Sequence, residues 1–371
     1  MTSSSKHLPN LDALRTLSFL SVFFYHSFHT EYKWIKENYV YQAFVWIFRN
    51  GDLGVIFFFV LSGYLITFLL LKEEDDNQRI SVSHFYIRRV LRIWPLYMLT
   101  VVFGFTVFPV LKSAFGQVPM ESADIVLFIT FLSNFNNIWN GLPDASILGV
   151  LWSVSIEEQF YLVWPLIIVA FKRRRILAFT ILIALSISFR LAFFNNSAVL
   201  YFHTMSVLSS LAIGGLFGFI GYNKLSNFKF LIDLKKSFQL TLYLITVVVV
   251  LFRQEIFIGQ VLNSLEITCF SILFAIIILT QSIGGRRVIE FGSFGYLSRW
   301  GKYTYGMYCL HFIGILIATN TTKLYGFNES LIVVIVIETL FALLVTHGLA
   351  WISYVIFEKR FLKIKEKRFS T

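Results

Sequence analysis

Charge is scarce in this chain. Only 14% of its 371 residues are Asp, Glu, Lys or Arg, against about a quarter in a typical soluble domain. That shortage excludes an ordinary water-facing surface. Cysteine is scarcer still. Cys269 and Cys309 both fall in apolar runs, so they read as inert packing residues, not as a disulfide or a metal pair. No Gly-rich phosphate loop, RNA-recognition motif or zinc-finger spacing occurs, so a nucleic-acid partner and a resident metal are not expected. Short alternating segments are missing too, and with them the signature of a membrane β-barrel.

What remains is apolar: 57% of residues are hydrophobic, 42 of them Phe, and mean hydropathy is +0.71. The apolar residues fall in runs of about 20, enough to span a hydrocarbon core. The expected fold is therefore an all-α polytopic membrane protein, one membrane-embedded domain over residues 1–371. Spans are predicted near 11–30, 51–71, 91–111, 147–171, 176–194, 204–222, 237–253, 261–281, 301–320 and 330–357. The first reads as a retained helix, since it carries Arg15 and His26 and lacks a small-residue cleavage site. Residues 123–140 are apolar but short and Asn-rich, which suits a re-entrant or interfacial segment. With the N-terminus placed inside, 25 of the 32 Lys and Arg residues fall on the inner side. This bias predicts about ten crossings with both termini cytoplasmic, and it explains the net charge of +11 without nucleic acid.

Polar residues inside apolar spans need a reason, because a charge near the bilayer centre costs roughly 2.5–3.5 kcal/mol on insertion scales. Arg15 and His26 are eleven residues apart, so they share one helix face about 16 Å apart along the axis. Arg88 and Arg92 share a face, with Arg89 about 100° round. Anchoring at the inner surface explains such a cluster; an anion site for several phosphates explains it equally, since guanidinium forks suit phosphate oxygens. LWSVSIEEQFYLVWPL (151–166) sets Glu157 beside Glu158. Adjacent helical residues diverge, so the two do not form a facing pair. Glu157 shares its stripe with Ser153, Tyr161 and Trp164, whereas Glu158 has less polar company. His311 lies deep in the ninth span, where a structural role is the ordinary one. Glu266 and Glu338 fall within spans without a sequence-level explanation.

Taken together, LDALRTLSFLSVFFYH (11–26), FFVLSGYLI (58–66), FYIRRVLRIWPLY (85–97), LWSVSIEEQFYLVWPL, GKYTYGMYCLH (301–311) and FEKRF (357–361) resemble the acyltransferase-3 family of bacterial integral-membrane acyltransferases, in the family's order. The resemblance implies a ten-helix core in the bacterial inner membrane. It would take an acyl group, usually acetyl from cytoplasmic acetyl-CoA, and deliver it to a hydroxyl of an extracytoplasmic or lipid-linked glycan. The family's Arg-x10-His pattern falls on Arg15 and His26, its arginine motif on Arg88, Arg89 and Arg92, and its Val-Glu-x-Gln-Phe-Tyr pattern on Glu157, Gln159, Phe160 and Tyr161. The chain departs at Ile56, where the family often has Asp, and at Glu358-Lys359-Arg360, which lacks the family's proline. It also ends soon after the tenth span, so the hydrolase-like domain of longer members is expected to be absent.

Acyl transfer from a thioester needs a base for the hydroxyl proton. His26 is the expected base, with Glu157 orienting an imidazole or holding the acceptor. Arg15, Arg88, Arg89 and Arg92 are expected to bind the donor, with Tyr161, Ser153 and His311 supporting. The expected partners are acyl-CoA as co-substrate, a glycan or glycolipid acceptor and membrane lipid, with no tightly bound cofactor. A transporter or flippase using Glu157 and His26 as a proton relay is the alternative.

Overall fold

A computed structural model describes residues 8–225 and 228–369; the expectation for the extreme termini falls on residues 1–7 and 370–371, outside them. A helix stands at every expected span. We label them α1 (Pro9–Tyr25), α2 (Leu53–Asn77), α3 (Val82–Val102), α4 (Leu151–Ala170), α5 (Arg175–Ala192), α6 (Thr204–Asn223), α7 (Lys236–Leu251), α8 (Gln260–Ile283), α9 (Thr304–Leu324) and α10 (Glu338–Ser353). Through a π-helical stretch at Tyr354–Glu358, α10 runs into a basic helix at Lys359–Phe369. Among the described residues, seven helical stretches are long and apolar enough to cross a membrane. This is an integral membrane protein, but α1, α7 and α9 fall outside that set. The first two are only 17 and 16 residues long, and α9 ends in the polar run TNTTK.

Local chemistry sets the helix ends. Pro9 opens α1, where a missing N–H costs nothing. The His203 side chain caps α6 by accepting the Met205 N–H at 3.1 Å. Residues 123–140 form two short helices, Ile125–Ile129 and Ser133–Trp139. The second buries Ser133, Asn134, Asn136 and Asn137 and is held by side chains. Gln159 donates to the Phe131 carbonyl at 2.9 Å and to Asn134 Oδ1 at 2.8 Å, and Ser133 shares a 2.7 Å bond with Ser155. Irregular backbone at membrane depth requires such partners. A helix at Tyr39–Phe48 stands where the hydropathy pattern marked only a loop.

The centre of the bundle is the α2–α6 contact, which glycine makes possible. A Cβ on Gly63 would lie 2.1 Å from the Leu211 carbonyl oxygen, and one on Gly214 only 2.0 Å from that of Val60. Small residues let membrane helices approach this closely. Gly214→Val is therefore expected to leave no monodisperse protein on size-exclusion chromatography, because the obstacle is backbone and cannot swing away. Gly348→Ala, with open space around it, should behave as wild type.

The structure also accounts for the unexplained carboxylates. Glu266 pairs with Arg253 at 2.5 Å, and Arg253 bonds Asp52 at 2.8 and 2.9 Å. Asp52 stands one turn before Ile56, which is itself buried in the core. Glu338 accepts from Thr322 at 2.6 Å. At the other end of α2, Glu74 pairs with Lys172 at 2.8 Å and Arg175 at 2.6 Å.

Candidate active site

A cavity of about 230 Å³ lies between α1, α2, α3, α4 and the start of α9. Chain direction orders its walls. At one end stand Arg15 near the start of α1, Arg89 and Arg92 on α3, and Lys302 just before α9. At the other end stand Phe58, Phe59, Val154, Ser153 and Tyr308. Between them, the Glu157 carboxylate accepts the Tyr161 hydroxyl at 2.8 Å, and Ser62 bonds that same hydroxyl at 2.6 Å. The cavity is thus cationic at one mouth, carries one carboxylate midway and ends on aromatic rings.

The cations are not equivalent. Arg15 is ion-paired to Asp12 one turn away. Arg89 lies over the rings of Tyr161 and Phe85, at 5.2 and 5.4 Å from their centroids, which fixes the plane of its fork. Arg92 is exposed and makes no hydrogen bond or ion pair among the described residues. Arg88 departs from the expected donor cluster. It turns away from the cavity and pairs at 2.6 Å with Glu73, which is 4% exposed and also accepts the Ser81 N–H at 2.9 Å. The reason is geometric: the 100° between Arg88 and Arg89 sends one to α2 and the other to the cavity. Breaking a buried pair costs about 3 kcal/mol or more, so Arg88→Ala should lower the melting temperature. An unchanged melting temperature would show that the Glu73 pair does not hold Arg88 in solution.

Glu157 and Glu158 diverge as their helical spacing predicts. Glu157 lines the cavity together with Ser153 and Tyr161. Trp164, the last residue of that stripe, instead donates to Thr67 at 2.8 Å. Glu158 faces α3, where one oxygen accepts the Trp94 indole N–H at 2.8 Å and the other is buried without a hydrogen-bond partner.

His26 does not line the cavity. It leaves α1 at the C-cap, and its Nδ1 lies 3.2 Å from Nε2 of His311. His311 is fully buried, and its Nδ1 lies 2.6 Å from the Tyr308 carbonyl oxygen. These contacts fix the neutral tautomers. A carbonyl only accepts, so His311 carries its proton on Nδ1 and offers a lone pair at Nε2. His26 must then donate from Nδ1, which leaves its own Nε2 as a free base. Tyr308 closes the cavity on this side, its hydroxyl bonded to Ser153 at 2.6 Å and its ring centroid 5.9 Å from that of His311. The stripe from Arg15 to His26 therefore runs from the cavity's cationic mouth to the histidine pair, and His311 and Tyr308 stand between His26 and the cavity. No hydrogen bond joins the Glu157–Tyr161 group to the histidines among the described residues, so a continuous relay between Glu157 and His26 is not built here.

Lys302, Tyr305 and Ser62 are cavity residues that the motif reading passed over. Lys302 and Tyr305 belong to the GKYTYG stretch that opens the ninth expected span.

Among known proteins, the family model described as "Acyltransferase domain" matches residues 8–355. Peptidoglycan O-acetyltransferase OatA of Listeria monocytogenes is 36% identical over 183 residues, covering 46% of this chain and 25% of that protein. O-acetyltransferase OatA of Staphylococcus aureus is 33% identical over 233 residues, covering 58% of this chain and 35% of that protein. The chain thus matches about a quarter to a third of the length of these relatives. No solved structure matches it.

Proposed function

This chain belongs to that acyltransferase family, and from that premise we propose that it moves an acyl group, acetyl from acetyl-CoA, to a hydroxyl of an extracytoplasmic or lipid-linked glycan. The glycan acceptor is carried over from the relatives, whose names are those of peptidoglycan and other O-acetyltransferases. The proposed setting is a bacterial inner membrane, with ten crossings and both ends cytoplasmic. The distribution of Lys and Arg along the sequence supports that orientation.

One observation carries the reading: a cavity with a four-cation mouth, closed at its other end by the residue that packs against a histidine pair. Arg15, Arg89, Arg92 and Lys302 would hold the phosphates of CoA, with the acyl end directed towards Ser153 and Tyr308. The acceptor hydroxyl would meet the Nε2 lone pair of His26. Its oxygen attacks the thioester carbonyl, the C–O bond forms and the C–S bond breaks. His26 takes the hydroxyl proton and returns it to the departing CoA thiolate. The charge that His26 gains is shared through its Nδ1–H bond to His311. Contact requires the Ser153–Tyr308 pair to part, which would bring the two halves of the site together. Glu157, one turn from Ser153, would orient the acyl arm through Tyr161.

The direct test is transfer of label from [14C-acetyl]-CoA to glycan by purified protein in nanodiscs. Label recovered on the glycan supports the reading. Transport of intact acetyl-CoA or glycan across the bilayer without transfer would replace it with the transporter.

A further inference from the structure

The way the cavity closes bears on the acyl group, an inference that rests on the transfer reading above. Along α2 one stripe faces the cavity: Leu69, Leu65, Ser62, Phe58 and then Val55. Leu69 is exposed, the next three are partly buried, and Val55 is buried. Access along this stripe therefore runs about 16 Å from Leu69 and stops at Phe58. The other walls agree. Phe59, Ser153, Val154 and Tyr308, which line the cavity at the same depth, are all buried. Phe58 is the last side chain that the cavity reaches.

Helical side chains lean towards the helix N-terminus, so the Phe58 ring leans to the closed end. There it meets Tyr308 edge to face, with ring centroids 6.2 Å apart. Tyr308 is itself held, its hydroxyl bonded to Ser153 at 2.6 Å and to the Val150 carbonyl at 3.3 Å. The ring of Phe58 is thus backed by a fixed neighbour. The two hydroxyls at this end are already paired, and among the described residues no cation lines it. The closed end suits a short, uncharged group. We propose that Phe58 sets the length of the acyl group: the terminal methyl of the thioester stops against its ring, so that acetyl fits and a longer or charged chain does not.

Transfer to glycan by the purified full chain in nanodiscs, from acetyl-, butyryl- and succinyl-CoA labelled in the acyl group, tests this. One methylene in an apolar pocket is worth about 10- to 200-fold, so wild type should favour acetyl over butyryl by about 10²-fold or more in kcat/KM. Phe58→Ala should cut that ratio at least about tenfold. Phe58→Leu keeps more of the packing and should cut it in the same direction by less, which decides the matter where the Ala variant does not fold. Succinyl should stay a poor donor in both variants, because the enlarged end still lacks a cation. Wild type that uses butyryl or succinyl as well as acetyl would overturn the proposal, and so would an acetyl-to-butyryl ratio unchanged by either variant. Acetyl transfer itself would still stand in those cases. No transfer of any acyl group by wild type would instead remove the transfer reading, and this inference with it.

Discussion

His26→Ala is expected to lower glycan acylation by about 10²- to 10⁴-fold, the usual contribution of a positioned general base, while the protein stays folded in the membrane. The fold should survive because His26 sits at the C-cap of α1, only partly buried. Initial rates of label transfer, compared at saturating acetyl-CoA, provide the measurement. His311 sharpens the test. Its Nε2 lies 3.2 Å from His26 Nδ1, where it favours the tautomer that frees Nε2 of His26. His311→Leu should cost about 10²-fold or more by releasing that tautomer, as loss of an orienting group does elsewhere. His311→Gln can still accept from His26 through its amide oxygen, so it should recover a measurable part of the rate. Full activity in His26→Ala rules out the base. Equal losses in the Leu and Gln variants would reduce His311 to a packing residue.

The helical frame was legible because apolar runs, Lys and Arg placement and helix terminators are all local signals. The divergence of Glu157 and Glu158 was equally readable, since it follows from 100° per residue. Three features were not readable. The reach from Arg15 to His26 gives a shared face but says nothing of what stands between them. His311 and Tyr308 arrive from α9, nearly three hundred residues away, and occupy that interval. Arg88 could not be separated from Arg89 and Arg92 because its partner, Glu73, lies on the preceding helix. Asp52 lies one turn away from the motif position that Ile56 fills. Only packing shows that the neighbouring turn carries a carboxylate held by Arg253. In each case the missing information was a contact between helices, which periodicity within one helix does not encode.

Replacing Arg89 and Arg92 together by Ala is expected to weaken CoA binding by about 10²- to 10⁴-fold, with little change in acceptor KM. The size follows from charge-assisted hydrogen bonds, worth about 1.5–3 kcal/mol each. The two side chains differ in how they would act. Arg89 is pre-set by the Tyr161 and Phe85 rings, so its fork meets phosphate with little ordering cost. Arg92 is exposed and not hydrogen-bonded among the described residues, so it must be ordered by the ligand. Arg89→Lys should therefore lose more than Arg92→Lys, since an ammonium keeps the charge but gives up both the fork and the ring contact. Calorimetric titration of CoA into the purified variants measures each arm. The same ranking should persist for desulfo-CoA, because these residues would read phosphates and not the thioester. If the double variant binds CoA as wild type does, the cationic mouth does not hold the donor, and the cavity loses its assignment even if His26 remains essential.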